Sequence, residues 1–434
     1  MRKSLFGDGA AEGRRGIFRA GEERPQPRCT SIAASSRRRP ARKRPDGPTR
    51  SHSQTGSRIF LAVVALGLAG SAQAAGVEMR TYGTTGNGET VREFALQGDD
   101  GMVVRFLSYG GIITAIELPD RAGHVDNVVL GLPDLATYET RNSSYFFGGI
   151  VGRYAGRIAN ARFPLDGSEV QLVANDGPNA LHGGAGQAFI AKLWQVEPLT
   201  EPGSAGAVLT YASPAGEQGF PGRLEVKVTY RLLPGRQLRI DYEARTDAPT
   251  VLNLTNHSYF NLTGAAAGPV FNQQLQVFAH RIVAATEAGI PTGDFVPVAG
   301  TAFDFLAPRA VGDCLEGAMP RIGGFCGYNH SWLVEGAGAG DPVLAARLTD
   351  PQSGRRLEVL TTEPTVHIYI ANHFSGEDMG AAGVPLRPHH GIAMETQHLP
   401  DSPNRPEFPT TLLRPGETYR STTIYRFGVE GQDG

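Results

Sequence analysis

Cysteine is scarce in this chain, and the residue spacings typical of protein-bound metals are missing. Only 3 of the 434 residues are cysteine, and neither Cys-x-x-Cys nor His-x-x-x-His occurs in the sequence. The usual signature of a zinc site is therefore absent, and we predict no metal site. Cys314 and Cys326 lie in a glycine-rich stretch. They could form a disulfide in an oxidising compartment or remain two unpaired thiols.

Long segments of helical periodicity are missing as well, and no internal repeat is visible. Instead, 56 glycines and 30 prolines punctuate short segments in which apolar and polar residues alternate, as in residues 224–230 and 238–244. Alternation of apolar and polar residues with a period of two indicates strands with one solvent-exposed and one buried face. With 40% hydrophobic residues, the chain can fill a large core. We therefore predict an all-β fold, one large antiparallel β-sandwich over residues 75–434 without a helical domain.

The first 58 residues differ from the rest in their excess of positive charge. They contain 15 Lys and Arg against 5 Asp and Glu, a net charge of +10, and few apolar residues. Such a segment cannot bury enough surface to offset the entropy of ordering it, so we expect residues 1–58 to be a disordered basic leader. A nucleic-acid-binding arm is the alternative. The leader is too long for a normal signal peptide, which suggests a translation start assigned too far upstream.

An apolar run follows the leader at residues 59–70. It is shorter than a membrane-spanning helix needs and has the length of a signal-peptide core. Arg58 supplies the positive flank, and the small residues of Ser71-Ala72-Gln73-Ala74 form a cleavage site. We predict a signal peptide over residues 59–74, cut after Ala74, and a periplasmic or secreted protein with no stable membrane association after cleavage. A buried helix or an uncleaved anchor is the alternative.

The charge of the remaining chain argues against a nucleic-acid partner. The whole sequence has a formal charge of −2, so the 360 residues after Ala74 carry −12. An acidic surface repels phosphate backbones.

Histidines, asparagines, arginines and carboxylates cluster in four turn-rich stretches between the predicted strands. These are residues 152–159 (GRYAGRIA), 175–184 (NDGPNALHGG), 253–262 (NLTNHSYFNL) and 391–404 (GIAMETQHLPDSPN). Together they resemble the galactose mutarotase (aldose 1-epimerase) family, and the resemblance extends over residues 82–427. It implies the galactose mutarotase-like supersandwich, with a sugar bound in an open cleft. It also implies an activity that interconverts the α and β anomers of a free hexose such as galactose or glucose.

The resemblance implies a role for each of five residues. His257 matches the general acid of the family, Glu395 the general base, and His182 a second active-site histidine. Arg157 matches a sugar-binding arginine. Asn329 stands where the family usually has a sugar-binding aspartate.

The proposed reaction requires these residue types. A proton must leave the C1 hydroxyl and another must reach the ring oxygen, so that the ring opens, the C1–C2 bond rotates and the ring closes on its other face. A carboxylate and an imidazole can perform both transfers, so we expect a monosaccharide partner and no cofactor. His182 could stabilise charge on the ring oxygen, and Arg157 and Asn329 could hold sugar hydroxyls.

Three positions depart from the family pattern. His367 stands where many relatives have a glutamine that contacts sugar, so we expect it to bind substrate with a different reach. Asn329 lacks the charge of the usual aspartate, and Gly156 takes a position where asparagine is common. These changes bear on sugar preference more than on the reaction class.

Two other functions fit parts of the pattern. A glycoside hydrolase would use Asp304 and Glu395 as its carboxylate pair and would leave His257 without a task. A sugar-binding module would keep the sandwich without turnover. Each candidate residue also has an ordinary structural alternative, as a core or turn histidine, a strand carboxylate or half of a scaffold ion pair. For Asp304 we expect an Asx turn.

Overall fold

The computed structural model describes residues 75–184, 188–338 and 340–431. The expected basic leader (1–58) and signal peptide (59–74) lie outside the described residues. Within the described ranges the chain is built mainly of antiparallel strands, which confirms the predicted all-β sandwich. No helix in these ranges has both the length and the apolar character that a membrane crossing requires.

Residues 75–184 contain ten strands and one α-helix. The strands are β1 (Gly76–Thr84), β2 (Thr90–Gln97), β3 (Val103–Leu107), β4 (Ile113–Pro119), β5 (Val125–Asn127), β6 (Ile150–Val151), β7 (Arg157–Ile158), β8 (Arg162–Leu165), β9 (Ser168–Gln171) and β10 (Ala180–Leu181). Helix α1 spans Leu135–Tyr145, between β5 and β6.

The second part adds eighteen strands among the described residues. They are β11 (Gln195–Glu201), β12 (Ser204–Ser213), β13 (Leu224–Leu233), β14 (Gln237–Thr246), β15 (Thr250–Val251), β16 (Thr255–Asn256), β17 (Tyr259–Phe260), β18 (Gln274–Val277), β19 (Arg281–Ala285), β20 (Pro291–Pro297), β21 (Arg309–Ala310), β22 (Asn329–Leu333), β23 (Val343–Thr349), β24 (Arg355–Thr361), β25 (Thr365–Tyr369), β26 (Ile392–Gln397), β27 (Leu412–Leu413) and β28 (Tyr419–Val429). Short 3₁₀ turns occupy Ala159–Ala161, Phe189–Ala191, Glu217–Gly219, Val270–Asn272, Leu315–Gly317, Ile322–Gly324 and Ser402–Asn404.

Three larger sheets organise these strands. A five-stranded meander has the order β1-β2-β3-β4-β5, and a nine-stranded sheet has the order β11-β12-β13-β14-β28-β24-β23-β18-β21. A six-stranded sheet has the order β17-β26-β25-β22-β19-β20. Short two-stranded sheets accompany them, among them β7 with β10 and β6 with β16.

One hydrophobic cluster joins all three sheets. Val228 and Tyr230 of β13 belong to it together with Phe106 of β3 and Ile368 and Met394 of the six-stranded sheet. In the first half of β13, buried apolar residues alternate with exposed charged ones, as the sequence predicted. Because strand side chains point alternately to opposite faces, this pattern turns one face of the sheet into the core.

Helix α1 is held by its ends and by its buried face. The Asp134 side chain caps the first turn by accepting the Thr137 amide at 2.8 Å, and Phe146 ends the helix in the left-handed region at φ 60°. Leu135, Tyr138 and Tyr145 are buried against the sheets. The sequence did not reveal this helix, because it is short and lacks a sustained apolar stripe.

The two cysteines discussed above do not bond to each other. Cys314 is a free thiol in the structure. The alternative of a Cys314–Cys326 disulfide is therefore wrong.

A buried ion pair fixes the chain just after β26. Glu363 accepts hydrogen bonds from the Tyr419 hydroxyl at 3.1 Å and pairs with Nδ1 of His398 at 2.6 Å. The His398 amide also donates to the Asn253 side chain at 2.9 Å. Burial opposes protonation of His398, but the charge of Glu363 and its hydrogen bond outweigh burial, so the pKa of His398 is raised.

Replacing His398 should therefore weaken the fold in a pH-dependent way. A raised folded-state pKa stabilises the protein below the ordinary histidine pKa of 6.5, and this contribution disappears as pH rises through the folded-state pKa. His398→Gln should lower the free energy of unfolding by about 1.5 kcal/mol near about pH 5.5 and by less near about pH 9. Urea unfolding at both pH values measures the difference.

The matched control is His280→Gln, which removes an exposed histidine 3.5 Å from Glu335. Exposed pairs contribute little, so this variant should match the wild type at both pH values. Equal destabilisation by His398→Gln at the two pH values would show that the buried pair is not charged.

Candidate active site

The described part of the chain forms an open cavity of about 370 Å³ beside the six-stranded sheet. All six site residues predicted from the sequence line it: Arg157, His182, His257, Asn329, His367 and Glu395. The size falls within the range of small-molecule sites. The structure thus brings together side chains that are separated by up to 238 positions in the sequence.

Strand alternation and register place the carboxylate. In β26, Ile392 and Met394 belong to the core, whereas Glu395 and Gln397 line the cavity. Across the sheet, Glu395 is paired with His367 of β25, which is paired with Ser331 of β22. Directly paired residues point to the same face, so these three side chains form one row along the cavity wall.

His257 and Glu395 meet at the wall of the cavity. His257 lies between β16 and β17, and its Nε2 is 3.3 Å from Oε1 of Glu395. Both side chains are buried, and neither His257 Nδ1 nor Glu395 Oε2 has a hydrogen-bond partner among the described residues. Buried polar atoms without partners are uncommon and indicate groups available to a ligand.

Burial shifts the pKa of both groups toward their neutral forms. It raises the pKa of Glu395 to about 8, partly opposed by the positive charge of Arg157. It lowers the pKa of His257 to about 3. A carboxyl group shifted toward neutral pH is a stronger base than an exposed one.

The backbone fixes the tautomer of His182. This residue follows β10 in the left-handed region at φ 53°, and its Nδ1 accepts the Gly156 amide at 3.2 Å. Burial holds the pKa of His182 well below its usual value, so the ring is neutral and its single proton sits on Nε2. Nε2 is therefore a hydrogen-bond donor.

The glycine after His182 is required by close packing. A Cβ at Gly183 would lie 2.1 Å from the Gly152 carbonyl oxygen, and the backbone there has φ 78°. Only glycine avoids both conflicts. The Leu-His-Gly-Gly sequence thus sets the position of the histidine ring.

His182, His257 and Glu395 could be considered as a metal site, because their ligand atoms lie within 4.8 Å of one another. A metal on Nε2 of a neutral His182 would require the proton to move to Nδ1. Nδ1 faces an amide hydrogen of Gly156, which excludes that proton. The arrangement therefore favours hydrogen bonding to a ligand over metal coordination.

Arg157 reaches the cavity from the short β7–β10 pair. Its Nε bonds Oδ2 of Asp176 at 2.7 Å, and its guanidinium packs against Gly289. The Nη groups make no hydrogen bond to a described residue, so they remain available to hydroxyl groups.

Asn329 and His367, the two departures from the family pattern, contact each other. Nε2 of His367 lies 2.8 Å from Oδ1 of Asn329, and Nδ1 lies 2.8 Å from the Ser331 hydroxyl. Both ring nitrogens of His367 are thus occupied by protein. The direct sugar contact expected for His367 therefore remains an untested prediction, and any such contact would involve the ring carbons.

Phe146 and Gln397 are among the cavity residues that were not recognised from the sequence. Phe146 packs against His182 and His257, with ring centroids 4.7 and 6.0 Å away. Gln397 has a buried Oε1 without a described partner. Its spacing of two from Glu395 could have identified it, because both residues lie on one face of a strand. No sequence pattern pointed to Phe146.

Asp304 does not line the cavity. Its carboxylate accepts the Gly300 amide at 3.0 Å and the Leu306 amide at 3.4 Å. It closes a turn, as expected, and cannot be the second carboxylate of a hydrolase that uses Glu395.

Comparison with known proteins identifies the family of this chain. The sequence model of a family described as Aldose 1-epimerase matches residues 92–426. Human galactose mutarotase is 40% identical over 342 residues, which cover 79% of this chain and 95% of the relative. Aldose 1-epimerase from Escherichia coli K12 is 35% identical over 348 residues, 79% of this chain and 97% of the relative.

A solved structure shows the same fold. Galactose 1-epimerase from Lactobacillus acidophilus superposes with a TM-score of 0.70 at 29% identity, covering 81% of this chain and 98% of that one. With the family model spanning residues 92–426 and relatives matched over nearly their full length, the chain belongs to the aldose 1-epimerase family.

Proposed function

We propose that this protein is an aldose 1-epimerase that interconverts the α and β anomers of a free hexose such as galactose or glucose. The observation that carries the assignment is the buried contact between His257 and Glu395 in a cavity of small-molecule size. Membership of the aldose 1-epimerase family supports it independently. The enzyme is an isomerase, so no atom is gained or lost overall.

Glu395 acts as the base and His257 as the acid in ring opening. Glu395 takes the proton of the C1 hydroxyl as that oxygen forms the aldehyde carbonyl. The C1–O5 bond breaks, and its electron pair on O5 takes a proton from His257. Rotation about C1–C2 and the reverse transfers close the ring on its other face.

Catalysis requires one proton to be shared between the Glu395 carboxylate and Nε2 of His257. With the proton on Glu395 and none on His257 Nε2, the pair is ready to close the ring by giving a proton to O1 and taking one from O5. With the proton on His257, the pair is ready to open the ring. The two arrangements have the same net charge, so moving the proton leaves no uncompensated charge in the buried cavity.

The other predicted residues bind and orient the sugar. His182 Nε2 donates a hydrogen bond to the ring oxygen, where negative charge develops as C1–O5 breaks. Arg157 donates to hydroxyl groups, and its orientation is set by Asp176. These directional contacts hold C1 near the acid and the base.

Removing either proton-transfer group should abolish most of the activity. Glu395→Gln and His257→Asn should each lower kcat by about 10²–10⁴-fold, because each keeps the approximate shape but cannot exchange a proton. Polarimetry of freshly dissolved α-D-glucose and α-D-galactose measures the approach to equilibrium. Glu335→Gln, at an exposed carboxylate, should behave as the wild type and serves as control.

Thermal unfolding should show that both variants remain folded. Turnover within about twofold of the wild type in either folded variant would overturn the assigned roles. A wild-type protein that accelerates neither sugar would overturn the proposed activity with these two hexoses.

The pH dependence of kcat/KM should show that the Glu395–His257 pair needs its single shared proton. Above about pH 8 the pair loses its proton, because the pKa of Glu395 is about 8, and kcat/KM should then fall about tenfold per pH unit. The Glu395→Gln rate, measured at each pH, gives the spontaneous background to subtract. A corrected kcat/KM that rises through pH 8 would show that Glu395 acts alone, without a proton on its partner.

We also propose that the protein is exported, as a periplasmic or secreted enzyme whose signal peptide spans residues 59–74. The small residues that end at Ala74 support a cut there, and β1 begins at Gly76, so cleavage would leave every described strand intact. Residues 1–58 would then be absent from the mature enzyme.

N-terminal sequencing of protein recovered after expression of the full chain tests this proposal. We expect a chain that begins Ala75-Gly76-Val77 outside the cytoplasm. Ala74→Leu should block cleavage by placing a bulky side chain at the cut. An intact amino terminus on active cytoplasmic enzyme, or peptides from residues 1–50 in the mature protein, would contradict export.

A further inference from the structure

A chain of three side chains ends at the cavity. Ser331 on β22 contacts Nδ1 of His367 on β25, and Nε2 of His367 contacts Oδ1 of Asn329, each at 2.8 Å. Ser331 and His367 are directly paired across the sheet, and Asn329 lies two positions before Ser331 on the same strand. All three therefore share one face of the sheet and line the cavity.

The chemistry of these groups sets the direction of both hydrogen bonds. An amide oxygen can only accept, so Nε2 of His367 must carry the proton that it donates to Asn329. A neutral ring then has a lone pair on Nδ1, and the Ser331 hydroxyl must donate to it. Burial favours the neutral ring by holding the pKa of His367 well below its usual value.

These two hydrogen bonds leave the Nδ2 group of Asn329 free to donate to a ligand in the cavity. Its Oδ1 accepts the His367 hydrogen bond with one of its two lone pairs, and its Nδ2 makes no hydrogen bond to any residue that the structure describes. The amide NH₂ has two hydrogens to donate and nothing with which to accept. A carboxylate at the same position would have the opposite polarity.

We propose that Ser331 and His367 are positioning residues that hold Asn329 as a hydrogen-bond donor to one sugar hydroxyl oxygen. This inference rests on the proposed epimerase function and concerns how the same site selects its sugar. The subsite recognises the hydroxyl as an acceptor. A sugar with fluorine at that carbon should therefore be a better substrate than the corresponding deoxy sugar, because fluorine can accept a hydrogen bond but cannot donate one.

The test compares deoxy and deoxyfluoro galactoses, substituted in turn at C2, C3, C4 and C6. For each carbon, polarimetry gives the ratio of kcat/KM for the fluoro sugar to that for the deoxy sugar. Comparing this ratio between wild type and Asn329→Asp cancels the inductive effect of fluorine, because the sugars are the same. The ratio should fall about tenfold in the variant at one carbon and stay unchanged at the other three, which act as internal controls.

Variants of Ser331 test the hydrogen bonds that join Ser331, His367 and Asn329. Ser331→Ala removes the donor to Nδ1, so His367 can change tautomer and release the amide. The fluoro-to-deoxy ratio should fall at the same carbon, with a larger rise in KM than fall in kcat. Ser331→Thr retains the hydroxyl and should keep the wild-type ratio. If Ser331 had a purely structural role, the ratio would be unchanged in both Ser331 variants.

Two results would overturn the inference. One is a fluoro-to-deoxy ratio that is the same in wild type and Asn329→Asp at every carbon. The other is a ¹⁵N NMR spectrum of the wild type that places the His367 proton on Nδ1, a measurement that does not depend on any variant folding. Failure of the proposed function looks different, because the wild type would then accelerate no sugar of the series.

Discussion

The carboxyl group of Glu395 lies on a strand whose residues are all buried, and the rest of the site is arranged around the cost of keeping it there. An ionised carboxylate that leaves water loses several kcal/mol of solvation, which its surroundings must offset. The backbone of β26 pairs with β25 from Ala393 to Gln397 and with β17 at Ile392 and Ala393. The side chain therefore depends on its neighbours across the cavity, and His257 at 3.3 Å is the one that can exchange a proton with it.

The cost of burying a charge also explains why the site is made of neutral groups. Burial holds His182 and His367 below their usual pKa, so each neutral ring offers a defined donor and a defined acceptor. A protonated ring would have two donors and no acceptor, and its hydrogen bonds could no longer be directed. The two tautomers that hydrogen bonding fixes, at His182 and His367, are set by a backbone amide and by an amide oxygen.

Many of the strands could be predicted from the sequence, because strand formation depends on local residue patterns. Alternation over residues 224–230 and 238–244 predicted β13 and β14, since one face of each strand must be apolar. The four polar stretches contain four of the side chains that meet in the cavity, Arg157, His182, His257 and Glu395. The sequence could not show how they meet, because register and neighbour choice are decided by packing between distant segments.

The contact between His367 and Asn329 illustrates this limit. Each residue looked like a separate departure from the family pattern, and His367 was expected to touch sugar. The two are 38 positions apart, and only the pairing of β22 with β25 makes them one hydrogen-bonded unit. A substitution at either position changes the chemistry of the other, so the pair has to be considered as a single feature.

The pairing of Arg157 with Asp176 has a consequence for how sugar reaches the site. Because the two charges cancel at 2.7 Å and the Glu395–His257 pair is neutral as a whole, the cavity projects little field into the solvent. A hexose carries no charge either. Their encounter is governed by diffusion and fit alone, so the enzyme should capture sugar equally well in dilute and in concentrated salt.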